Sequence, residues 1–383
     1  MTAALSGLRV VDLHSGVSGA WCSRLLASFG ADVVRVEAPD GTDELRRAAP
    51  FDAPTTNAET RPLHLYLNAG KRSLALDTDG AEGRSLLERL IDRADVLVET
   101  LDGPERTHLD LAPDVAHARH PKLVHISITP FGLSGPYADF RATPMISAAL
   151  GGYMYIGGSP DRQPLANLSP QPDYMAGLHG FVGAMAALNR REASGHGQHV
   201  EIAVQECMAS IHQFTVTRWV YNRRIQQRIG NRYQRAHPIT VYRVSDGLVS
   251  IAVANQEQYV RFLDLIGMGE LRRDPRFADV FICSENTEAF DAAIADVMRT
   301  AKREKLVFDC QKQRIPAGFV NDVREVLTDP QYVHRAFWNT VDHPIAGPHA
   351  HAGYPLRMSG TPPVAKRAPL LGEHDAAVQG ELS

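Results

Sequence analysis

One carboxylate is set apart by its surroundings. Asp173 follows the turn Ser169-Pro170-Gln171-Pro172 and opens the run YMAGLHGFVGAMAALN (174–189). Small residues recur there at helical spacing: Ala176, Gly177, Gly180, Gly183, Ala184 and Ala187. Such a stripe lets a second backbone pack very close. The spacing predicts a buried, tightly packed helix with Asp173 at its start. Unpaired N–H groups and the helix dipole favour negative charge there, so the carboxylate is expected to stay ionised. Two roles fit: a helix cap, or a carboxylate nucleophile.

Other chemistry-bearing types form weaker patterns. Cys22, Cys207, Cys283 and Cys310 are scattered with no CxxC, which reads as reduced core thiols in a cytoplasmic protein. Cys22 lies mid-helix beside Trp21 and reads as core rather than nucleophile. His343, His349 and His351 include a His-x-His but no carboxylate at ligand spacing, so they read as a surface loop and no metal is expected. Arg223, Arg224, Arg228, Arg232 and Arg235 crowd one segment and read as a solvated or ion-paired face.

The elements that must position Asp173 can be taken in order. Residues 8–13 (LRVVDL) read as a buried strand, 17–29 as a helix ending at Gly30, and 32–37 (DVVRVE) as a second strand. Strand, glycine turn, helix and strand make a βαβ unit and imply a parallel sheet. The first turn lacks GxGxxG, so no nicotinamide or flavin cofactor is expected. Residues 38–66 read as loop, with Pro39, Pro50, Pro54 and Pro62. Strands follow at 73–78, 95–99 and 123–129, and Asp79 with Glu82 resembles a capping box. Repeated αβ steps predict a doubly wound α/β domain. After the Asp173 helix come a strand at 199–204 and a helical stretch over 205–222. Near 225 the pattern shifts to a strand at 247–254 and helices near 256–266, 288–302 and 304–313, a smaller α+β domain. From about 325 the chain is Pro- and Gly-rich and reads as an extended return to the first domain.

Composition fits an enzyme of two domains. The chain has 383 residues, 44% hydrophobic and 22% charged, with a net charge of −4. No block of like charge marks a nucleic-acid surface, and no apolar run reaches membrane-spanning length. The first residues, MTAALSGLRVVDL, lack the pattern of a secretory leader.

Eight stretches in fixed order resemble the family III CoA-transferases, which include formyl-CoA transferase, carnitine CoA-transferase and α-methylacyl-CoA racemase. They are LSGLRVVDL (5–13), FGADVVRVEAPDG (29–41), LNAGKRSLALD (67–77), ADVLVE (94–99), HPKLVHISITPFGLSGPYADF (120–140), DYMAGLHGFVGAMAAL (173–188), ASGHGQHVEIAVQE (193–206) and APLLGEH (368–374). The resemblance implies a large Rossmann-like domain from 1–224 and 326–383, a small domain over 225–325, and a dimer interlinked like two rings. A homodimer is expected, with a heterodimer as the alternative. It implies that Asp173 is the catalytic nucleophile, with CoA transfer between carboxylic acids through an aspartyl intermediate and no cofactor beyond CoA and acyl-CoA as substrates. Gly157-Gly158 would bring backbone N–H groups to the oxyanions.

The implied CoA contacts are Val17 and Ser18 after the first strand, Arg35, Lys71 and Arg72 near the nucleotide, Leu76, Asp77, Thr78, Asp79, Thr100 and Leu101 along adenosine and pantetheine, His108, and Thr129 and Phe131 in the pantetheine loop. Without the family, Lys71-Arg72 would read as solvated charge. Departures are Ala38 where some members have Arg, His108 where many have Arg, DGPE at 102–105, and no tetraglycine lid. A racemase needs an acid/base pair in the segment matched by Arg141-Ala142-Thr143-Pro144-Met145, which has no His or Asp. One active subunit of a hetero-oligomer is the remaining alternative.

Overall fold

The structure, a computed structural model, describes residues 3–48, 57–166 and 170–383. Ser169 of the predicted turn and Pro50 and Pro54 of the predicted loop lie outside these residues. The chain divides into two compact units: the described residues of Met1–Met154, Ala166–Asn222 and Arg335–Ser383, and those of Tyr155–Leu165 and Arg223–His334.

The first unit is built on a six-stranded, wholly parallel sheet. Its strands are β1 (Arg9–Leu13), β2 (Asp32–Glu37), β3 (Arg72–Ala75), β4 (Val96–Glu99), β5 (Val124–Thr129) and β6 (Gln198–Ala203), in the order β3-β2-β1-β4-β5-β6. The helices between them are α1 (Gly16–Ser28), α2 (Glu44–Arg47), α3 (Pro62–Leu67), α4 (Ala81–Asp92), α5 (Gly103–His108), α6 (Pro113–Arg119), α7 (Pro144–Leu150), α8 (Tyr153–Ile156) and α9 (Gln171–Ser194).

Strand side chains alternate between two buried faces. Val10, Val33, Val96, Val98, Val124 and Ile126 pack with Cys22 and Leu26 of α1 and Ala176, Ala184 and Ala187 of α9. Val11, Val34, Leu74 and Leu97 pack with Leu86, Leu87, Leu90 and Ile91 of α4 and with Val378 and Leu382 of the terminal helix Asp375–Leu382. The sheet is thus covered on both sides, as the doubly wound pattern predicts.

The small-residue stripe of α9 is used as expected. A Cβ at Gly177 would stand 2.4 Å from the Ser18 carbonyl oxygen, and one at Gly180 would stand 3.2 Å from Cys22 Sγ. Residues rising along α9 meet residues rising along α1. The two helices therefore run parallel and start at the same end of the sheet. Any larger residue at 177 would force them apart.

The end of the chain returns to edge strand β3. Gly372 N–H donates to Ser73 Oγ (2.9 Å), His374 N–H to the Ser73 carbonyl (3.1 Å), and Ala75 N–H to Asp375 Oδ1 (2.8 Å). The expected extended return differs in part: helices Val323–Thr328 and Pro330–His334 come first and belong to the second unit, with the excursion Tyr155–Leu165. The capping box expected at Asp79 and Glu82 is absent, because Gly80 holds the cap position of α4. A capping box does form at Asp102 and Glu105. His343 and His351 are buried rather than on a surface loop. His351 lies on strand His349–Ala352, which pairs with Trp338–Val341, and His343, in the connection between the two strands, accepts at Nδ1 from the backbone N–H of Ala346 (3.1 Å).

The second unit holds a three-stranded antiparallel sheet, β7 (Ile239–Val244), β8 (Gly247–Ala252) and β9 (Ala317–Phe319), around a core that includes Val249, Tyr259, Phe262, Phe277 and Phe290.

Candidate active site

The order of the parallel sheet reverses between β1 and β4, so the loops leaving these strands diverge. Open α/β sheets bind ligands in that crevice. Here it is stitched by one pair. Ser15 N–H donates to Thr100 Oγ1 (2.6 Å), whose hydroxyl donates back to the Ser15 carbonyl (3.0 Å). A cavity of about 650 Å³ opens over this pair, lined by Ser15, Glu44, Thr100, Leu101, Thr129 and Arg141 among others. The Leu101 loop is fixed from both sides. Its N–H donates to Glu99 Oε2 (2.7 Å), and Arg106, which pairs with Glu99, donates to its carbonyl (2.5 Å). Burial pushes the Glu99 carboxyl up, but hydrogen bonds from His125 and Arg106 outweigh it and hold the group near 2.

Asp173 is the third residue of α9. It is half-buried, and its side chain makes no hydrogen bond or ion pair among the described residues. The cap position belongs to Pro170, and no side chain caps this helix, so the cap role is not the one Asp173 plays. Two further expectations change with it. The first-turn N–H groups of Asp173 and Tyr174 are taken by the Pro170 carbonyl (3.0 and 3.2 Å) rather than by the carboxylate. The carboxyl is pushed up to about 6, first by burial and then by the charge of Glu44, so the helix start does not hold it fully ionised. Beside it, Tyr174 packs with Val17, Leu45, Trp21 and Tyr66, and burial followed by Tyr66 pushes its hydroxyl up to about 12.

Behind α1 lies a second polar block. Asp12, at the end of β1, is fully buried. It accepts from Lys71 Nζ (2.9 Å) and Ser23 Oγ (2.7 Å) and lies 2.5 Å from His14 Nδ1. Burial pushes its carboxyl up, but His14, Lys71 and Arg35 outweigh that and hold it far below the usual range. Burial pulls His14 down to about 4, so the imidazole is neutral at pH 7.

The structure redistributes the expected contacts. Thr100, Leu101 and Thr129 line the cavity, and Phe131 lies next to it in an edge-on cluster with Tyr137 and Phe140. Val17 and Ser18 form the first turn of α1, which has no side-chain cap, but both side chains are buried. Arg35, Lys71 and Arg72 are already paired with carboxylates of this chain. Arg35 pairs with Asp43, and Lys71 donates to Asp12, Asn68 Oδ1 (2.9 Å) and the Ala20 carbonyl (3.2 Å). Arg72 pairs with Asp32 (3.0 Å) and Glu381 (2.7 Å). Lys71 is 4% exposed and not a solvated charge; a buried cation demands such partners.

Leu76, Asp77, Thr78 and Asp79 follow β3, away from the switch-point cavity. His108 meets Asp79 (3.5 Å) and Arg84 (3.1 Å), and with Arg84 it borders a separate cavity of about 280 Å³. Gly157 and Gly158 belong to the second unit. Their carbonyls accept from Leu165 N–H (3.1 Å) and Gly230 N–H (2.9 Å). Sequence reasoning missed Asp12, Glu44, Glu99 and Arg106. A lone Asp inside LRVVDL was the one visible signal, since an acid in a buried strand needs a partner.

Among the described residues no helix is long and apolar enough to cross a membrane, and no group of three or more His, Cys, Asp or Glu is placed to hold a metal.

A parallel sheet covered on both faces, with its cavity at the strand-order reversal, defines a Rossmann-like α/β enzyme. The profile of CoA-transferase family III matches residues 5–375, so the chain belongs to that family and is a CoA-transferase. It is 32% identical to the succinate–glutarate CoA-transferase of Agrobacterium fabrum over 99% of this chain and 95% of that protein. It is 31% identical to the formyl-CoA:oxalate CoA-transferase of Streptomyces avermitilis, over 100% of this chain and 96% of that protein. The crystal structure of a CAIB/BAIF family protein from Brucella suis superposes with a TM-score of 0.90 at 32% identity, covering 100% of both chains.

Proposed function

We propose that this enzyme moves CoA from an acyl-CoA thioester to a free carboxylic acid, with Asp173 as the covalent relay. The observation that carries the reading is a half-buried carboxylate with no hydrogen-bond partner among the described residues, at the head of a rigidly packed helix. A carboxylate held that way has no structural task and a raised basicity, which favours nucleophilic attack.

Asp173 attacks the thioester carbonyl, the C–S bond breaks, and CoA thiolate leaves behind a mixed anhydride. The thiolate then attacks the aspartyl carbonyl and releases the donor acid, giving an aspartyl-CoA thioester. The acceptor carboxylate attacks that thioester and expels CoA again. CoA finally attacks the acceptor acyl carbon, which forms the new thioester and frees Asp173. Each tetrahedral oxyanion needs fixed donors. The uncapped first turn of α1 offers backbone N–H groups for one of them. No metal or redox group is required, because every bond made or broken joins an acyl carbon to oxygen or sulfur. We read the donor and acceptor as small acids of the kind named for the relatives. We also read the enzyme as an interlinked homodimer working in the cytoplasm. Phe214, Val216, Val220 and Tyr221 stand exposed on helix Gln213–Asn222 and would be covered by a second copy.

Trapping tests the relay. Incubation with donor acyl-CoA and hydroxylamine is expected to leave a hydroxamate on the Asp173 peptide, read by mass spectrometry and lost in Asp173→Asn. Label on Cys22, or none while transfer proceeds, would overturn it.

A further inference from the structure

We infer that Glu201 is a positioning residue for the cavity over Ser15 and Thr100, a carboxylate that holds the loop after β5 in the form that receives CoA. The inference rests on the proposal that CoA thioesters are the substrates and places them in this cavity.

The loop after β5 is one wall of that cavity: Thr129, Pro130, Gly132 and Leu133 all line it. Fixed partners set its course. Gly132 N–H donates to Thr129 Oγ1 (3.0 Å), the Pro130 carbonyl accepts from Gln205 N–H (3.0 Å), and Leu133 N–H donates to Glu201 Oε1 (2.6 Å). Gly132 has a φ of +91°, and a Cβ there would stand 2.8 Å from the same Glu201 oxygen. The carboxylate therefore rests against the glycine, and a side chain at 132 would meet both backbone strain and that oxygen. Phe131 lies between the tied residues Pro130 and Gly132, so the clamp also sets where its ring meets Tyr137 and Phe140.

Glu201 lies on β6 opposite Ser127 of β5. Its chain neighbours Val200 and Ile202 pack into the α9 core, so its own side chain takes the other face of the sheet. It is exposed and forms no ion pair among the described residues, and the bond from Leu133 is the one hydrogen bond it makes there. The β4 loop, which lines the same cavity, repeats the device: Leu101 N–H donates to Glu99 Oε2 (2.7 Å). Each loop thus has a backbone N–H held by a carboxylate of a sheet strand. Glu99 is buried and paired with Arg106, so its removal would strike the fold. Glu201, exposed and unpaired, can be removed with the fold standing.

A carboxylate accepts a stronger hydrogen bond from a backbone N–H than a neutral oxygen does. Without it the loop spends part of its time in other forms. Apparent affinity for a ligand then falls by the fraction that remains competent to bind. Loss of Glu201 should therefore weaken CoA binding while leaving the melting temperature nearly unchanged.

The test titrates the full-length variants with coenzyme A by calorimetry, beside thermal melts and hydrogen exchange of the peptide that carries Leu133. Glu201→Ala is expected to raise the Kd for CoA about five- to twentyfold and to speed exchange at Leu133. Glu201→Gln keeps an acceptor oxygen at the same reach and should recover most of the affinity. Gly132→Ala disturbs the clamp from the loop side and should weaken CoA as well, with the double variant weaker by less than the product of the two effects. Glu206→Ala, an exposed acid of the next helix, Val204–Ser210, should bind as the native enzyme does. A purely structural Glu201 would lower the melting temperature and leave the Kd unmoved, and that result overturns its role. Should Glu201→Ala fail to fold, native affinity in Gly132→Ala overturns it equally. Neither result touches the relay, because binding of free CoA needs no covalent step; the relay stands or falls on the trapping at Asp173. A native enzyme that does not bind CoA overturns both readings.

Discussion

Two aspartates of the first unit, Asp12 and Asp173, behave in opposite ways. Asp12 is completely buried, yet its carboxyl is held far below the usual range because His14, Lys71 and Arg35 outweigh that burial. Asp173 is less buried, yet its carboxyl is raised to about 6, first by that burial and then by the charge of Glu44, with nothing among the described residues donating to it to offset them. Burial raises both carboxyls, and the number and sign of the partners then decide whether that rise stands or is overturned. Asp12 is locked into the fold. Asp173 is held in place by its helix, and its side chain has no hydrogen-bond or ion-pair partner among the described residues.

The comparison can be broken most severely at Asp173 itself. Asp173→Ala is expected to lower transfer at least about a thousandfold, with secondary structure and assembly unchanged by circular dichroism and gel filtration. The same truncation at Asp12 would strike the fold instead.

Removing the partner on the locked side comes next. Lys71→Met leaves Asp12 buried without its lysine partner, and chemical denaturation should show a loss of about 3–5 kcal/mol. The sign of the pH effect follows from the depressed Asp12 pKa. Its stabilisation is complete above the ordinary carboxylate range and drains away as pH falls, because the unfolded chain takes the proton first. The variant should therefore lose that part of the acid dependence.

The Asp173 side predicts the reverse. Asp173 has a folded pKa above its unfolded value, so its ionisation costs the native state stability as pH rises from about 4 to beyond 6. Asp173→Asn should be more stable than the native enzyme by about 1–2 kcal/mol at pH 7.5, after allowance for partial exposure, and about equal at pH 4. Thermal melts at the two pH values check this. A destabilised variant at pH 7.5 would restore the helix-cap role.

The smallest effect is expected at Arg72. Its pairs with Asp32 and Glu381 are on the surface, so Arg72→Ala should change stability by less than about 0.5 kcal/mol. With its guanidinium already engaged, KM for acyl-CoA should stay within twofold by about the same reasoning.

The elements that frame the site were legible because their periods are strong. The alternation in DVVRVE and the glycine–alanine stripe after Asp173 predict the sheet face and the close helix pair that form. The charged residues inside those elements were not legible in the same way. Lys71 looks solvated beside Arg72, and only the folded chain shows that Asp12, 59 positions earlier, waits for it. Glu44 carries no periodic signal, since its place in the cavity wall comes from where α2 is pinned by Asp43 and Arg46. The excursion Tyr155–Leu165 into the second unit is likewise set by tertiary packing, which turn-rich sequence does not encode locally.

The return of the chain to β3 has a consequence for how the protein is made. Ser73 and Ala75 wait for partners some 300 positions further on, so that edge cannot close until the residues between have been synthesised. Until then the nascent sheet offers an unpaired strand ladder to any neighbouring chain. The aspartate helix and its cavity walls are synthesised well before this happens. A premature stop or a proteolytic nick just before Gly372 would spare every group proposed to take part in transfer, and the damage would show as insoluble product rather than as a slower enzyme.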